Sequence, residues 1–155
     1  MKLRAAKIDD VPRLREFEQA VVEYERAFNP CIKPGKVTYY DLEHLLSDEK
    51  SLLLVAQLES DIIGSGYAQI RESKDTLIHP EIAYLGFMYI LPEHRGLGIV
   101  QKIIDRLLEW SLSKGVRDFY LDVYAQNESA IAAYRKLGFG PRLLEMSLHL
   151  DPKDK

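Results

Sequence analysis

The stretch that decides the fold is LPEHRGLGIVQKIIDRLLEW, residues 91–110, which places two glycines directly before a helical pattern. After Gly98, apolar residues recur at helical spacing, at Ile99, Ile103, Ile104, Leu107 and Leu108. The first turn of a helix leaves about four backbone N–H groups unpaired and carries the positive end of the helix dipole. Glycines at this point let an anionic ligand approach the backbone, so the turn is either a plain connection or an anion-binding site.

Six residues of this turn are candidates for binding phosphate through their backbone amides. They are Arg95, Gly96, Leu97, Gly98, Ile99 and Val100. Two known phosphate-binding motifs do not match, because the chain lacks the third glycine of the dinucleotide fingerprint and the Gly-Lys-Ser/Thr of the P-loop. From the turn alone, a plain strand-to-helix connection remains the simpler interpretation.

The segments on either side predict a mixed α/β domain with a largely antiparallel sheet and helices on its faces. Periodicity, helix caps and turn residues give the order strand, two helices, three antiparallel-type strands, helix, strand, helix, strand. The predicted strands cover residues 3–7, 51–58, 62–70, 81–90, 118–124 and 143–150. The first helix is predicted to begin at Asp9 and Asp10, and the short second one fits a capping pattern of Thr38 with Asp41.

Length and composition indicate one ordinary globular domain over residues 1–155. The chain is 46% hydrophobic and 29% charged, with a net charge of −3, which does not favour a nucleic-acid partner. No segment approaches the roughly 20 apolar residues that span a bilayer, and the N-terminus does not resemble a signal peptide. A single cysteine excludes an internal disulfide framework and a Cys-rich zinc site. We therefore expect a cytoplasmic protein that binds neither metal nor membrane.

A second motif, NESAIAAYRKLGF, occupies residues 127–139. Asn127 is placed to cap a helix, and Tyr134 lies about two helical turns further on. Both side chains can face a ligand bound between the two preceding strands. For Tyr134 alone, a core or rim aromatic is the simpler interpretation.

Together, the two motifs resemble those of the GCN5-related N-acetyltransferase (GNAT) superfamily. The family pattern Arg/Gln-x-x-Gly-x-Gly/Ala corresponds to RGLGIV, and the downstream Asn…Ala-x-x-x-Tyr-x-x-x-Gly-Phe pattern corresponds to residues 127–139. Val100 stands where the family usually has glycine or alanine, a change that leaves the amide in place. The order of elements agrees over nearly the whole chain.

The resemblance implies a GNAT fold in which the fourth and fifth strands splay apart, and acetyl-CoA as cosubstrate. Its pyrophosphate would lie on the amides of residues 95–100, and Asn127 would also face the cofactor. The pantetheine arm would pair with the backbone of Met88, Tyr89 and Ile90. A primary amine, from a small molecule or a protein, would attack the thioester directly, and Tyr134 would act as the general acid.

The general base is an open question in the sequence. Family members of this type often carry a glutamate near the middle of the fourth strand, where this chain has Gly86. Glu81, at the start of that strand, is a candidate base, although a solvated strand end is the simpler interpretation. Tyr84 could also act through a water. Only one strand is predicted after Phe139, where the family usually has two, so the missing strand either comes from the partner in a homodimer or is absent.

The acceptor site implied by the resemblance covers roughly residues 23–40. It contains aromatic and acidic residues that suit a cationic amine, although core packing and a solvated helix face explain them equally well. These residues are Glu23, Tyr24, Glu25, Phe28, Tyr39 and Tyr40. Two other functions remain open: a catalytically weak acyl-CoA-binding regulatory module, which the missing acidic residue suggests, and an interaction domain with no affinity for CoA.

Overall fold

The computed structural model describes residues 1–154, which fall into two compact units, Met1–Asp122 and the residues from Val123 onward. The strands, all in the first unit, are β1 (Lys2–Ala5), β2 (Ser51–Leu58), β3 (Asp61–Glu72), β4 (Glu81–Ile90) and β5 (Phe119–Tyr120). The helices are α1 (Val11–Glu25), α2 (Leu42–Ser47) and α3 (Ile99–Ser113) in the first unit, and α4 (Glu128–Lys136) in the second. No helix within residues 1–154 is long and apolar enough to cross a membrane.

The five strands form one sheet in the order β1-β2-β3-β4-β5. All neighbours are antiparallel except β4 and β5, which are parallel. Successive residues of a strand face opposite sides of the sheet. Tyr67 of β3 faces a core that α1 and α2 complete with Leu14, Phe17 and Leu42, while Gly66 faces Ile103 of α3. The predicted mixed, largely antiparallel sheet with helices on its faces is confirmed.

Two sequence predictions in the first unit need correction. The cap of α2 is Asp41 and not Thr38, because the Asp41 carboxylate accepts a hydrogen bond from the His44 amide at 3.1 Å. Strand β5 has two residues, whereas the alternating pattern predicted a strand from 118 to 124. The alternation of residues 118–124 is typical of a strand, but a strand also needs a neighbouring strand to pair with. Here β4 pairs with this segment over only two residues, Phe119 and Tyr120.

The predicted last strand, residues 143–150, is wrong for the chain as it stands in this structure. These residues belong to no strand, and all of their side chains are exposed. Leu143, Met146 and Leu148 are 87%, 84% and 83% exposed. Alternating apolar and polar residues identify a segment that can pair in a sheet, but they do not identify its partner.

Candidate active site

The centre of the candidate site is a bulge in β4. Ser65 of β3 pairs with Tyr89, whereas Tyr67, two residues later, pairs with Gly86, which is three residues away from Tyr89. One extra residue is therefore inserted into β4 at this point, the arrangement that defines a β-bulge. Such a residue bends its strand and redirects the side chains beside it, and bulges are common next to active sites.

Phe87 lies in the bulge with a φ of 56°, a left-handed conformation that is costly for a bulky residue. Strain of this kind costs on the order of 1–3 kcal/mol and persists only where the surroundings hold it. The Phe87 ring is buried and stacks on Tyr40 at a centroid distance of 4.3 Å. Its carbonyl accepts a hydrogen bond from the buried Ser65 hydroxyl at 2.9 Å. Packing and hydrogen bonding thus fix the bulge.

Beyond the bulge, β4 has an unpaired edge within the part of the chain that the structure describes. The ladder to β5 consists of Ala83 with Phe119 and Tyr84 with Tyr120, so it ends before residues 85–90. This is the splay of the fourth and fifth strands implied by the resemblance. The backbone of Met88, Tyr89 and Ile90 lies along this open edge, while the strand's other edge pairs with β3.

The turn after β4 presents backbone amides rather than side chains. Gly96 and Gly98 have φ values of 79° and 78°, which only glycine adopts readily. The first helical hydrogen bond of α3 runs from Lys102 N to the Gly98 carbonyl, and α3 has no side-chain cap. Among the described residues, the amides of residues 96–101 have no hydrogen-bond partner.

Arg95 differs from the other five predicted phosphate-binding residues. Its amide donates to the Pro92 carbonyl at 3.3 Å, and its side chain donates to the Ile90 carbonyl at 2.8 Å. The guanidinium also lies 5.6 Å from the centroid of the Tyr89 ring. Arg95 therefore ties the turn to the end of β4, and the unpaired amides begin at Gly96.

A small open cavity of about 120 Å³ lies at this turn. It is lined by Ile90, His94, Arg95, Gly96, Gly98, Ile99 and Val100. Leu97 is not among them and is 65% exposed. Pockets for drug-sized ligands have volumes of roughly 300–1,000 Å³, so this cavity fits one polar part of a larger ligand.

Gly86, where the family often has an acidic residue, is required by the packing of β3. A Cβ at this position would lie 2.6 Å from both the hydroxyl oxygen and the Cζ ring carbon of Tyr67. The Tyr67 side chain therefore fills the space above Gly86. Tyr67 is 6% exposed, and burial raises the pKa of its hydroxyl.

A hydrogen-bonded tyrosine lies where β4 and β5 separate. The Tyr84 hydroxyl donates to the exposed Asp122 carboxylate at 3.0 Å, and the guanidinium of Arg71 lies 4.0 Å from the centroid of the Tyr84 ring. Burial raises the pKa of Tyr84, and the Asp122 carboxylate raises this pKa further. Glu81, the predicted base, lies at the start of β4 and forms an ion pair with Lys50 at 3.7 Å.

A second cavity, of about 200 Å³, lies on the α2 side of the sheet. Its lining is Tyr39, Tyr40, Asp41, His44, Leu45, Tyr67, Gln69 and Arg71, and we call it the tyrosine pocket. The tyrosine rings form edge-to-face pairs, Tyr39 with Tyr40 at 5.8 Å and Tyr40 with Tyr67 at 6.1 Å. Two predicted acceptor-site residues, Tyr39 and Tyr40, thus line a cavity.

A buried carboxylate that the sequence analysis overlooked fixes this loop. Glu18 of α1 is 1% exposed and accepts hydrogen bonds from the amides of Tyr39 and Tyr40, both at 2.9 Å. Arg15 donates to Glu18 at 3.2 Å and to the Tyr40 carbonyl at 2.8 Å. Glu18 lies four residues after the buried Leu14, so helical spacing alone places it on the buried face.

The remaining predicted acceptor residues lie at and just beyond the end of α1. Tyr24 is half exposed and packs edge-on against Phe28, and Glu23 pairs with Arg26 at 3.0 Å. Glu25 is partly buried, which raises the pKa of its carboxyl, while a hydrogen bond from the Tyr39 hydroxyl acts in the opposite direction. Glu25 thus interacts with a residue of the tyrosine pocket.

The second unit contains Asn127 and Tyr134. Asn127 caps α4, since its side chain accepts from the Ala130 amide at 3.4 Å. Tyr134 is partly buried, and its ring packs edge-on against Phe139 at 6.0 Å. The predicted cap is confirmed. The binding role of Asn127 and the acid role of Tyr134 remain predictions.

Comparisons with known proteins agree with this geometry. Residues 17–139 match the Acetyltransferase (GNAT) family. An acetyltransferase from Pectobacterium atrosepticum is 30% identical to the chain, and the match covers 94% of this chain and 97% of that protein. A tetramutant of the BH1408 protein from Bacillus halodurans has a similar structure, with a TM-score of 0.87, 22% identity and coverage of 97% and 100%.

A predicted acetyltransferase from Clostridium acetobutylicum, solved with acetyl-CoA, is also similar. Its TM-score is 0.74 at 19% identity, with 96% of this chain and 95% of that chain covered. At this identity the likeness establishes the fold. The family match and the Pectobacterium relative each cover most of the chain, and with the bulged, splayed strand and the open glycine turn they lead to one conclusion: the chain belongs to the GNAT family of acetyltransferases.

Proposed function

We propose that the protein is an N-acetyltransferase that moves the acetyl group of acetyl-CoA to a primary amine by direct attack. The observation that carries the proposal is the row of unpaired amides at residues 96–101, directly after a bulged strand with an open edge. A plain connection needs neither left-handed glycines nor a strained Phe87. An extended ligand with a diphosphate at one end uses both features.

The donor would lie along the open edge of β4. Its diphosphate would accept hydrogen bonds from the amides of residues 96–101, helped by the dipole of α3. The pantetheine arm would pair with the backbone of Met88, Tyr89 and Ile90 as an added strand. An amide in this stretch would polarise the thioester carbonyl and stabilise the oxyanion that forms during attack. Asn127 would make a further contact with the cofactor.

The acceptor amine would enter through the tyrosine pocket. The faces of tyrosine rings attract cations. The partly buried Glu25 carboxylate accepts a hydrogen bond from Tyr39, which lines the pocket. The Glu18 hydrogen bonds hold the loop of Tyr39 and Tyr40 in one position. A preorganised loop loses less conformational entropy when the acceptor binds.

The reaction requires two proton transfers. The amine attacks the thioester carbon, the C–N bond forms and the C–S bond breaks, so the amine loses a proton and the sulfur gains one. An ordinary amine has a pKa of about 10.4 and must be deprotonated first. We assign this step to Tyr84, which can accept the proton while passing its own to Asp122 at the solvent boundary. Glu81 remains the alternative base, and Tyr134 is proposed to protonate the sulfur.

Calorimetric titration of acetyl-CoA and CoA tests the donor site. We expect binding by the natural protein and its loss in Gly98→Asp, where a side chain and a negative charge enter the turn. Gly115→Asp is the matched control, because Gly115 has a similar φ of 82° at the other end of α3. No binding by the natural protein would contradict the proposal.

An amine panel separates this proposal from the alternative of a catalytically weak acyl-CoA-binding module. The panel should contain polyamines, aminoglycosides, amino acids and peptide N-termini. A thiol reagent would measure the free CoA that each reaction releases. Turnover that falls in Tyr134→Phe supports the enzyme. Binding of acetyl-CoA without turnover of any amine favours the regulatory module, which the glycine at position 86 motivates. The single-domain organisation and the cytoplasmic location remain predictions from sequence.

A further inference from the structure

The tyrosine pocket contains an arginine that is held in a fixed orientation. Arg71, near the end of β3, lines the pocket and is exposed to solvent. Its guanidinium stacks over the Tyr84 ring at 4.0 Å from the centroid, and its Nε donates to the Gln69 side chain at 2.8 Å. Stacking and hydrogen bonding orient the planar group before any ligand arrives.

Within residues 1–154, no carboxylate forms an ion pair with Arg71, whereas Arg15 pairs with two carboxylates, both at 3.2 Å. The charge of Arg71 acts instead on two tyrosine hydroxyls. Burial raises the pKa of Tyr67 and Tyr84, and the positive charge of Arg71 opposes this rise in both. A guanidinium presents parallel N–H groups that match the two oxygens of a carboxylate. Arg71 is therefore available to bind the carboxylate of a ligand.

Negative charge lies at the hydroxyl end of the same tyrosine. The Tyr84 hydroxyl donates to Asp122 at 3.0 Å, and Asp41 is part of the pocket lining. An amine that approaches Tyr84, the proposed base, thus approaches a carboxylate, while the Arg71 guanidinium covers the ring face. A ligand whose amine and carboxylate are one carbon apart can meet both charges at once. Complementary charges favour such a zwitterion.

Size and charge disfavour larger or differently charged acceptors. The cavity of about 200 Å³ is smaller than the roughly 300–1,000 Å³ of pockets for drug-sized ligands. A polycation such as an aminoglycoside would bring further positive charges next to Arg71, and like charges in contact disfavour binding. A doubly charged phosphate would lie close to Asp41 and Asp122. A singly charged carboxylate is the better match.

We propose that the acceptor is a free α-amino acid, whose carboxylate binds Arg71 while its amine attacks acetyl-CoA beside Tyr84. The inference rests on the proposed acetyl transfer and names the substrate class of its acceptor site. The chemistry is unchanged: the C–N bond forms, the C–S bond breaks, the amine loses a proton and the sulfur gains one. Arg71 recognises the substrate and takes no part in the proton transfers.

The first test compares amino acids with their α-amides as substrates of the full-length protein. The amide keeps the size and the amine but has a neutral group in place of the carboxylate. We expect kcat/KM to be about 10- to 100-fold higher for the acid, mainly through KM, because the amide loses a charge-assisted bidentate contact. Ethanolamine phosphate and an aminoglycoside complete the panel. Turnover of either one without turnover of any amino acid would overturn the proposal.

Arg71→Met removes the charge and keeps an aliphatic chain over Tyr84. The ratio of kcat/KM between acid and amide should then fall to near one. A general loss of activity cancels in this ratio, so a purely structural role would leave it unchanged and would overturn the inference. Arg106→Met is the matched control and should keep the natural ratio, because Arg106 is exposed on α3, on the opposite face of the sheet. Thermal melting verifies that both variants fold.

Calorimetry with amino acids, in the presence and absence of CoA, separates this inference from the proposed acetyl transfer. Turnover of cationic amines with no binding of amino acids keeps the acetyl transfer and overturns the role of Arg71. Amino-acid binding that Arg71→Met weakens at least about tenfold, without turnover of any amine, supports the role of Arg71 and contradicts the acetyl transfer. Neither binding nor turnover would overturn both.

Discussion

The glycine turn and the tyrosine pocket lie in the same unit, yet they are built in opposite ways. The turn exposes backbone: two glycines with positive φ and six amides that have no hydrogen-bond partner within residues 1–154. The pocket exposes side chains, with three tyrosines, a histidine and an arginine among its lining residues, on a loop fixed by a buried carboxylate. A site made of backbone amides depends mainly on the backbone conformation of the turn. A site made of side chains depends on the buried residues that hold those side chains in place.

The largest expected effect concerns the support behind the tyrosine pocket. Glu18→Ala leaves the amides of Tyr39 and Tyr40 without their acceptor, while the Arg15 guanidinium keeps the Tyr40 carbonyl and Glu43. Each amide left without an acceptor costs about 1–3 kcal/mol, so we expect a total loss of about 2–5 kcal/mol, which urea unfolding would measure. Glu18→Gln keeps an oxygen acceptor and should lose less. A loss below about 1 kcal/mol for Glu18→Ala would mean that the loop is held by other contacts.

Tyr84→Phe tests whether the pocket side of β4 takes part in chemistry. Removal of the Tyr84 hydroxyl interrupts the proton path to Asp122. We expect kcat to fall about 10- to 100-fold, at or below the lower end of the roughly 100- to 10,000-fold range for acid–base groups. Activity should recover in part at high pH, where the amine is already neutral. Tyr120→Phe is the control, since Tyr120 is the register partner of Tyr84 and its hydroxyl bonds to His79 at 3.1 Å. Equal losses in both variants would contradict the assignment.

Gly98→Ala tests the turn by strain alone, without added charge. A Cβ at a φ of 78° costs roughly 1–2 kcal/mol, while no atom lies within 4 Å to clash with it. We expect the open turn to relieve this strain in the free protein by leaving the left-handed conformation, which CoA binding then has to restore. The dissociation constant for CoA should therefore rise about 5- to 30-fold. Gly115→Ala bears similar strain at the far end of α3 and should lose stability with CoA affinity unchanged. Unchanged affinity of Gly98→Ala for CoA would mean that CoA does not bind at this turn.

The smallest expected effect is a pH dependence confined to the tyrosine region. Burial raises the pKa of Glu25 above its ordinary value of 4.5, so the native state holds more protons than the unfolded state just above that pH. Stability should then fall as pH rises from about 4.5 through the native pKa of Glu25. Glu25→Gln should remove this fall, and Glu23→Gln, which is exposed on the same helix, should leave it. Parallel curves for all three proteins would exclude the effect.

The two regions also differ in how far the sequence predicted them. The glycine turn is local: Gly96, Gly98 and the periodicity of α3 are contiguous, and the predicted helix start agrees within a residue with the structure. The strand bounds of β2 and β4 were predicted equally well because both are bounded by polar turns.

The tyrosine pocket is lined by two distant segments, residues 39–45 and 67–71, and is supported by a third through Glu18. No local sequence pattern predicts that these segments meet. Glu18 and Tyr40 are 22 residues apart in sequence, and Arg71 belongs to β3. The sequence pattern did not predict the bulge at Phe87, because alternation does not show which strand carries an extra residue. For residues 143–150 the strand pattern was visible, but its partner was not.

Gly86 and Tyr67 cannot be substituted independently of each other. One volume of space between β3 and β4 can hold the tyrosine ring or a side chain on position 86, but not both. Gly86→Glu alone should therefore disrupt the sheet, and Tyr67→Gly alone should leave a void. The double change is the route by which a carboxylate could enter the centre of β4. A library that varies either position singly would miss it, so redesign of this active site has to begin with pairs.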